Sequence, residues 1–308
     1  MLALLSAAVL AGGGPAEAAL HGVRPAVTAG VISTVAGGVG GPAAATTAAL
    51  NYPGPCGVSY AAGQIYVADG YAVRDVNSQT DGLTTPAGTG LDGPLSIGGL
   101  AANSAGLGTC GVAVDRAGNL VIAVPMPDHV LVAAQATGSF YGQAMKAGHI
   151  YNVAGNGSPG FSGDGGKATA AKINSPAGVA VDAAGNLLIA DYGNNRIRVV
   201  VAASSGTYYG QAMTAGHIYS VAGKGKAGFS GDGGPATSAK IDGPNAVTVD
   251  GAGNLLISDT DNDRVRVVAA SSGTYYGQAM TAGDIGTYER SRTPGSSRRL
   301  VIEHTAQL

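Results

Sequence analysis

Residues 157–200, GSPGFSGDGGKATAAKINSPAGVAVDAAGNLLIADYGNNRIRVV, return almost unchanged as residues 225–268, and this unit decides the fold. Phe161 and Phe229, Asp182 and Asp250, and Asp191 and Asp259 recur at one spacing of 68 residues. A fixed period marks a repeat array, whose units bury their apolar faces by stacking on one another. Within the unit, GVAVD (Gly178–Asp182), LLIAD (Leu187–Asp191) and IRVVV (Ile197–Val201) are short, β-branched runs with the spacing of strands. The linker Asp182-Ala183-Ala184-Gly185-Asn186 places Gly where a tight turn needs a positive φ, after an Asp whose carboxylate can accept the turn's N–H groups.

Outward from this unit the pattern continues. GVSY (Gly57–Tyr60), GVAVD (Gly111–Asp115) and AVTVD (Ala246–Asp250) open the other repeats, so four are recognisable, near 57–90, 110–155, 178–223 and 246–285. Each third strand leads through a loop such as SSGTYYGQAMTAG (Ser204–Gly216) to a fourth, HIYSVAG. Four antiparallel strands and then a Gly-rich crossing describe the blade of a β-propeller. VISTVAG (Val31–Gly37) matches a fourth strand on its own, and repeat four continues into the loop that introduces a fourth strand of its own. The array therefore reads as an incomplete one, whose open edge would favour self-association.

Composition agrees with an all-β chain. Of 308 residues, 45% are hydrophobic and 12% charged, with 52 Gly, 3 Phe and no Trp, which suits many tight turns between short strands. The net charge of −2 offers no basic footprint, so nucleic-acid binding is not expected. MLALLSAAVLAGGGPAEA (residues 1–18) ends in the small-residue pattern of a signal-peptidase site, which points to a secreted protein. The apolar run is too short for a membrane span. Residues 286–308, rich in Arg, lack repeat character and read as a disordered tail.

The combination GFSGDGGxAT, GVAVDxxGNLLIAD and NNRIRVV resembles the bacterial NHL-repeat family of β-propellers, over roughly residues 31–285. The resemblance implies a propeller, usually of six blades, and a binding role, with no single chemistry attached. Some related propellers are metal-assisted lyases or lactonases. Repeat two departs from the pattern, with Val124-Pro125-Met126-Pro127-Asp128 in place of the Asp-Asn-Arg turn and Ile97 at the position of Asp164.

Strand alternation places the crossing loops and the turns between second and third strands on one face of the array. That face collects Asp164, Asp191, Asn195 and Arg196 from repeat three, and Asp232, Asp259, Asp261 and Arg264 from repeat four. The leading reading is that each Asp and Asn satisfies its own loop while Arg196 and Arg264 tie adjacent turns. The other reading is a ligand site, for which calcium is the cation such oxygens suit; no cofactor is otherwise expected. At the start of the innermost strands, lining the channel mouth, Cys56, Cys110, Ala177 and Asn245 share one position, and of these only Asn245 suits a catalytic metal site. The histidines do not converge, and no nucleophile elbow is present. Cys56 and Cys110, on the same rung of neighbouring repeats, are either bridged or two small buried thiols. The expected function is a secreted, non-enzymatic propeller binding a protein, glycan or surface ligand through its loop face. The alternatives are a lyase or lactonase, and a fragment without independent function.

Overall fold

The four repeats form four antiparallel sheets arranged as propeller blades. This is a computed structural model, and it describes residues 55–77, 80, 82–93, 95 and 97–288. The signal-peptide segment, the strand expected at Val31–Gly37 and the tail beyond Tyr288 lie outside the described residues.

Blade 1 runs β1 (Pro55–Ala61), β2 (Gln64–Asp69), β3 (Ala72–Asn77) and β4 (Leu83–Gly88). Blade 2 runs β5 (Val112–Val114), β6 (Leu120–Val124), β7 (His129–Ala133) and β8 (His149–Ala154). Blade 3 follows with β9 (Pro176–Val181), β10 (Leu187–Asp191), β11 (Arg196–Val200) and β12 (Ile218–Ala222), and blade 4 with β13 (Pro244–Val249), β14 (Leu255–Asp259), β15 (Arg264–Val268) and β16 (Asp284–Thr287). β16 runs to Thr287, and the Tyr288 N–H still donates to Val265 O at 2.8 Å. Blade 4 thus extends three residues past the boundary read from the sequence, because backbone pairing continues where the repeat signature has ended.

The turn chemistry is as the sequence predicts. Asp182 Oδ1 accepts the N–H groups of Ala184 and Asn186 at 2.9 and 2.8 Å, while Asn186 Oδ1 accepts the Ala202 N–H at 3.2 Å and so pins the turn to the end of β11. Asp115 and Asp250 repeat the arrangement with Asn119 and Asn254. In blades 2, 3 and 4 the expected loop before the fourth strand is instead a small hairpin, as in Gly206–Tyr208 paired with Gln211–Met213. Tyr209, at the hairpin's tip with φ of 49°, donates its hydroxyl to Asp182 Oδ2 at 3.0 Å; Tyr141 and Tyr276 reach Asp115 and Asp250 likewise. Burial, then the neighbouring carboxylate, pushes the Tyr209 phenol above its usual range.

Consecutive blades touch most closely along their innermost strands. A Cβ on Gly57, Gly111 or Gly178 would meet the carbonyl of Cys110, Ala177 or Asn245 of the next blade at under 3.0 Å, so glycine is required at that rung. The valine that follows this rung in blades 2, 3 and 4 faces the preceding blade: Val112, Val179 and Val247 are buried there, against Leu120, Leu187 and Leu255 of their own second strands. On blade 1 the equivalent side is uncovered, and Val58 and Tyr60 are both 69% exposed. Blade 4 differs on its opposite side, where Ala246 and Ser258 replace Gly178 and Ala190. Ser258 Oγ accepts the Ala246 N–H at 2.7 Å, so the glycine's close-contact position is filled and hydrogen-bonded within the blade.

Candidate functional site

The loop face is organised by two arginines that the sequence hides inside strands. Arg198 in β11 pairs across the sheet with Ile189 and is fully buried. A strand arginine this deep must find acceptors for its donors, and Arg198 finds them in the crossing loop. It donates to Asp164 at 2.6 Å, Lys172 O at 3.0 Å and Ser162 O at 3.1 Å, with Asp191 at 3.6 Å. Arg266 does the same in blade 4, reaching Asp232 at 2.5 Å, Asp259 and Lys240 O at 3.2 Å, and Ser230 O at 3.3 Å. In blade 1, Arg74 meets Asp69 at 2.9 Å.

Four aspartates of the expected ligand cluster, Asp164, Asp191, Asp232 and Asp259, are therefore engaged internally. Asp191 Oδ1 also accepts the Asn174 N–H at 2.7 Å, and both its oxygens accept from Asn194 Nδ2 at 2.9 Å. Burial pushes its carboxyl up to about 6, against the pull of Asn194, Asn174 and Arg198. Asp259 repeats these contacts with Asp242 and Asn262, and Asp232 takes a second bond from the Thr287 hydroxyl at 2.7 Å. Each carboxylate thus already holds a cation or an N–H donor. Among the described residues no three His, Cys, Asp or Glu side chains converge as a metal-holding group.

Asn195 sits in the left-handed region with φ of 50°, and its Oδ1 accepts the Gly243 N–H of the next blade at 2.8 Å. Asp128 makes the same seam contact to Ser175 at 2.7 Å. Arg196 donates to Gly223 O and Lys224 O at 2.8 and 2.9 Å, the paired tie expected of it; Arg264 instead donates to Asn262 O within its own turn. Asp261, Arg264 and Asn245 are exposed. Asn245 lies on the innermost strand, apart from the arginine clusters.

The sequence reading passed over the residues that this framework pushes outward. Arg196 lies 3.9 Å from the Phe161 ring centroid and Arg264 4.1 Å from that of Phe229, within the range of cation–π contact. Arg198 and Arg266 approach the same rings at 5.0 and 4.8 Å. Held this way, Phe161 and Phe229 remain 43% and 42% exposed, beside the exposed Tyr192 and, on the blade 2 turn, Met126 at 82%. The available signal was an aromatic residue kept in a Gly-rich loop. Two shallow crevices, about 170 and 280 Å3, lie instead under the tyrosine hairpins on the other face, smaller than small-molecule sites usually are.

Residues 174–200, from the end of the crossing loop through β11, match the NHL repeat family. The match lies in repeat three, and repeat four carries nearly the same sequence at residues 242–268. No curated protein matches it by sequence. Among solved structures, a protein of unknown function from Bacteroides thetaiotaomicron superposes on this chain with a TM-score of 0.50 and 18% identity, covering 70% of this chain and 47% of its own. Virginiamycin B lyase from Staphylococcus aureus gives 0.41 and 12%, over 78% and 56% of the two chains. An auxiliary nutrient binding protein from B. thetaiotaomicron gives 0.35 and 12%, over 78% and 70%. The chain spans about half the length of the first two, and the likeness is one of fold. Among the described residues no helix is long and apolar enough to cross a membrane.

Proposed function

We propose that this protein is a secreted, non-enzymatic binding module whose loop face recognises a protein, glycan or surface ligand. One observation carries the reading: Asp164, Asp191, Asp232 and Asp259 turn inward to Arg198 and Arg266, while Phe161, Phe229, Tyr192 and Met126 are presented to solvent. Aromatic residues, Met and Arg are the types enriched in binding hot spots, and rigid ones lose little entropy on binding. Each phenylalanine is clamped between its loop and a guanidinium, so the face is preorganised.

The test is binding of the full chain to a glycan array and to purified extracellular proteins, followed by titration of any ligand found. The double variant Phe161→Ala, Phe229→Ala should weaken binding at least about tenfold, while Tyr60→Ser on blade 1 should leave it unchanged. Unchanged affinity in the double variant overturns the assignment to this face. Turnover of a lactone substrate that a chelator abolishes and Asn245→Ala impairs overturns the non-enzymatic reading.

A further inference from the structure

Cys56 and Cys110 stand on the same rung of the innermost strands of blades 1 and 2. Gly57 and Gly111, the residues after them, bring the two backbones into contact, and the Cys110 thiol lies within hydrogen-bonding reach of the Cys56 side chain. The structure leaves the bridge allowed by the sequence unformed: both thiols are free, Cys56 exposed and donating to Thr109 O at 3.6 Å, Cys110 half-buried. The same rung carries Ala177 and Asn245 in blades 3 and 4. Only the seam of blade 1 can therefore be tied in this way among the described blades, and blade 1 is the one whose Val58 and Tyr60 lie uncovered.

We propose that Cys56 and Cys110 are a redox-active dithiol, which a small disulfide oxidant of the glutathione type converts to an intramolecular disulfide joining blades 1 and 2. The exposed Cys56 thiolate attacks one sulfur of the oxidant, forming a mixed disulfide and releasing one thiol. Cys110 then loses its proton to solvent and its sulfur attacks Cys56 Sγ, forming the inter-blade bond and releasing the second thiol. The protein is oxidised by two electrons, and the oxidant's disulfide is reduced to two thiols. Cys110 is the slow partner, since burial first, and then the neighbouring Cys56, push its thiol up to about 12. Part of that elevation comes from the Cys56 charge and disappears once Cys56 is capped. The bond encloses β2, β3 and β4 in one covalent loop, which restricts the unfolded ensemble of the least covered blade.

The experiment incubates the full chain in mixtures of oxidised and reduced glutathione, counts free thiols and maps tryptic peptides without reductant. Arg74 is the only tryptic site between the two cysteines, so a bridge joins the peptide ending at Arg74 to the peptide 75–116. The expected result is a fall from two free thiols to none, that cross-linked pair, and a Tm raised by about 10 °C over the reduced chain. Cys110→Ala, which installs the residue blade 3 carries, should trap glutathione on Cys56, and Cys56→Ser should resist modification. Glutathione remaining on Cys56 of the unaltered chain with Cys110 still free, or a bridge between two chains, overturns the proposal.

Discussion

Blade 3 buries Asp191 and Arg198 at the centre of its sheet, where blade 2 buries Val124 and Leu131, and Ile97 occupies in blade 2 the position of Asp164. The strand pairing is the same in both, with Leu131 opposite Ile122 as Arg198 is opposite Ile189. In blade 2 these three side chains join the apolar cluster shared with blade 1. In blade 3 the arginine fastens the GFSGDGG loop over the sheet and leaves Phe161 facing outward. His129 stands in for Arg196, its Nδ1 lying 3.1 Å from Gly155 O where Arg196 meets Gly223 O. One backbone therefore accepts either an apolar or an ionic core, and only the ionic one builds the presented aromatic. A buried ion pair contributes little net stability compared with apolar packing of equal volume, so blade 3 keeps its pair for the loop it holds.

The comparison breaks most sharply at Arg198. Arg198→Leu alone strands two carboxylates and should cost about 3–5 kcal/mol in urea unfolding. The triple variant Asp164→Ile, Asp191→Val, Arg198→Leu transplants blade 2's core and should recover all but about 1–2 kcal/mol while loosening the Phe161 loop. If the triple variant is no more stable than the single one, the two cores are not interchangeable.

Titration separates the blades next. The folded carboxyl of Asp191 lies near 6, above its ordinary value of 3.8, so its protonated form stabilises the fold fully below pH 3.8. That contribution, about 3 kcal/mol, is lost as pH rises through 6. Stability measured against pH should show this loss in the native chain and not in Asp191→Asn. An unchanged profile in the variant would assign the titration to another group.

The smallest effect should be common to both blades. Asp128→Ala and Asn195→Ala each remove one acceptor for an N–H of the next blade, and each should cost about 1–2 kcal/mol in the same unfolding assay. A loss at Asn195 alone would show that the seams are held differently.

Much of this fold is legible in the sequence because its signals are local. Alternation in GVAVD and LLIAD names the strands, and the Asp182-to-Asn186 turn closes through bonds that span at most four residues. That Asp164 and Asp191 share a face is expected from strand alternation, and in the structure both lie against Arg198. The role of those residues was less legible. Arg198 reads in sequence as one polar position in an apolar strand, and nothing within its own strand identifies Asp164, 34 residues earlier, as its partner. The tyrosine hairpin reads in sequence as a loop because its strands are only three residues long.

The sequence by itself determined the repeat, the strand order of each blade, the hairpin turns and the sharing of one face by the Gly-rich loops and the Asp-Asn-Arg turns. These rest on period-two alternation and on contacts between near neighbours in the chain. Only the tertiary structure decided that Asp164, Asp191, Asp232 and Asp259 are satisfied internally, that Phe161 and Phe229 face solvent, and that Cys110 lies within reach of Cys56. Those outcomes depend on which acceptors reach a buried guanidinium, and on how closely two glycine rungs approach, once the blades have stacked.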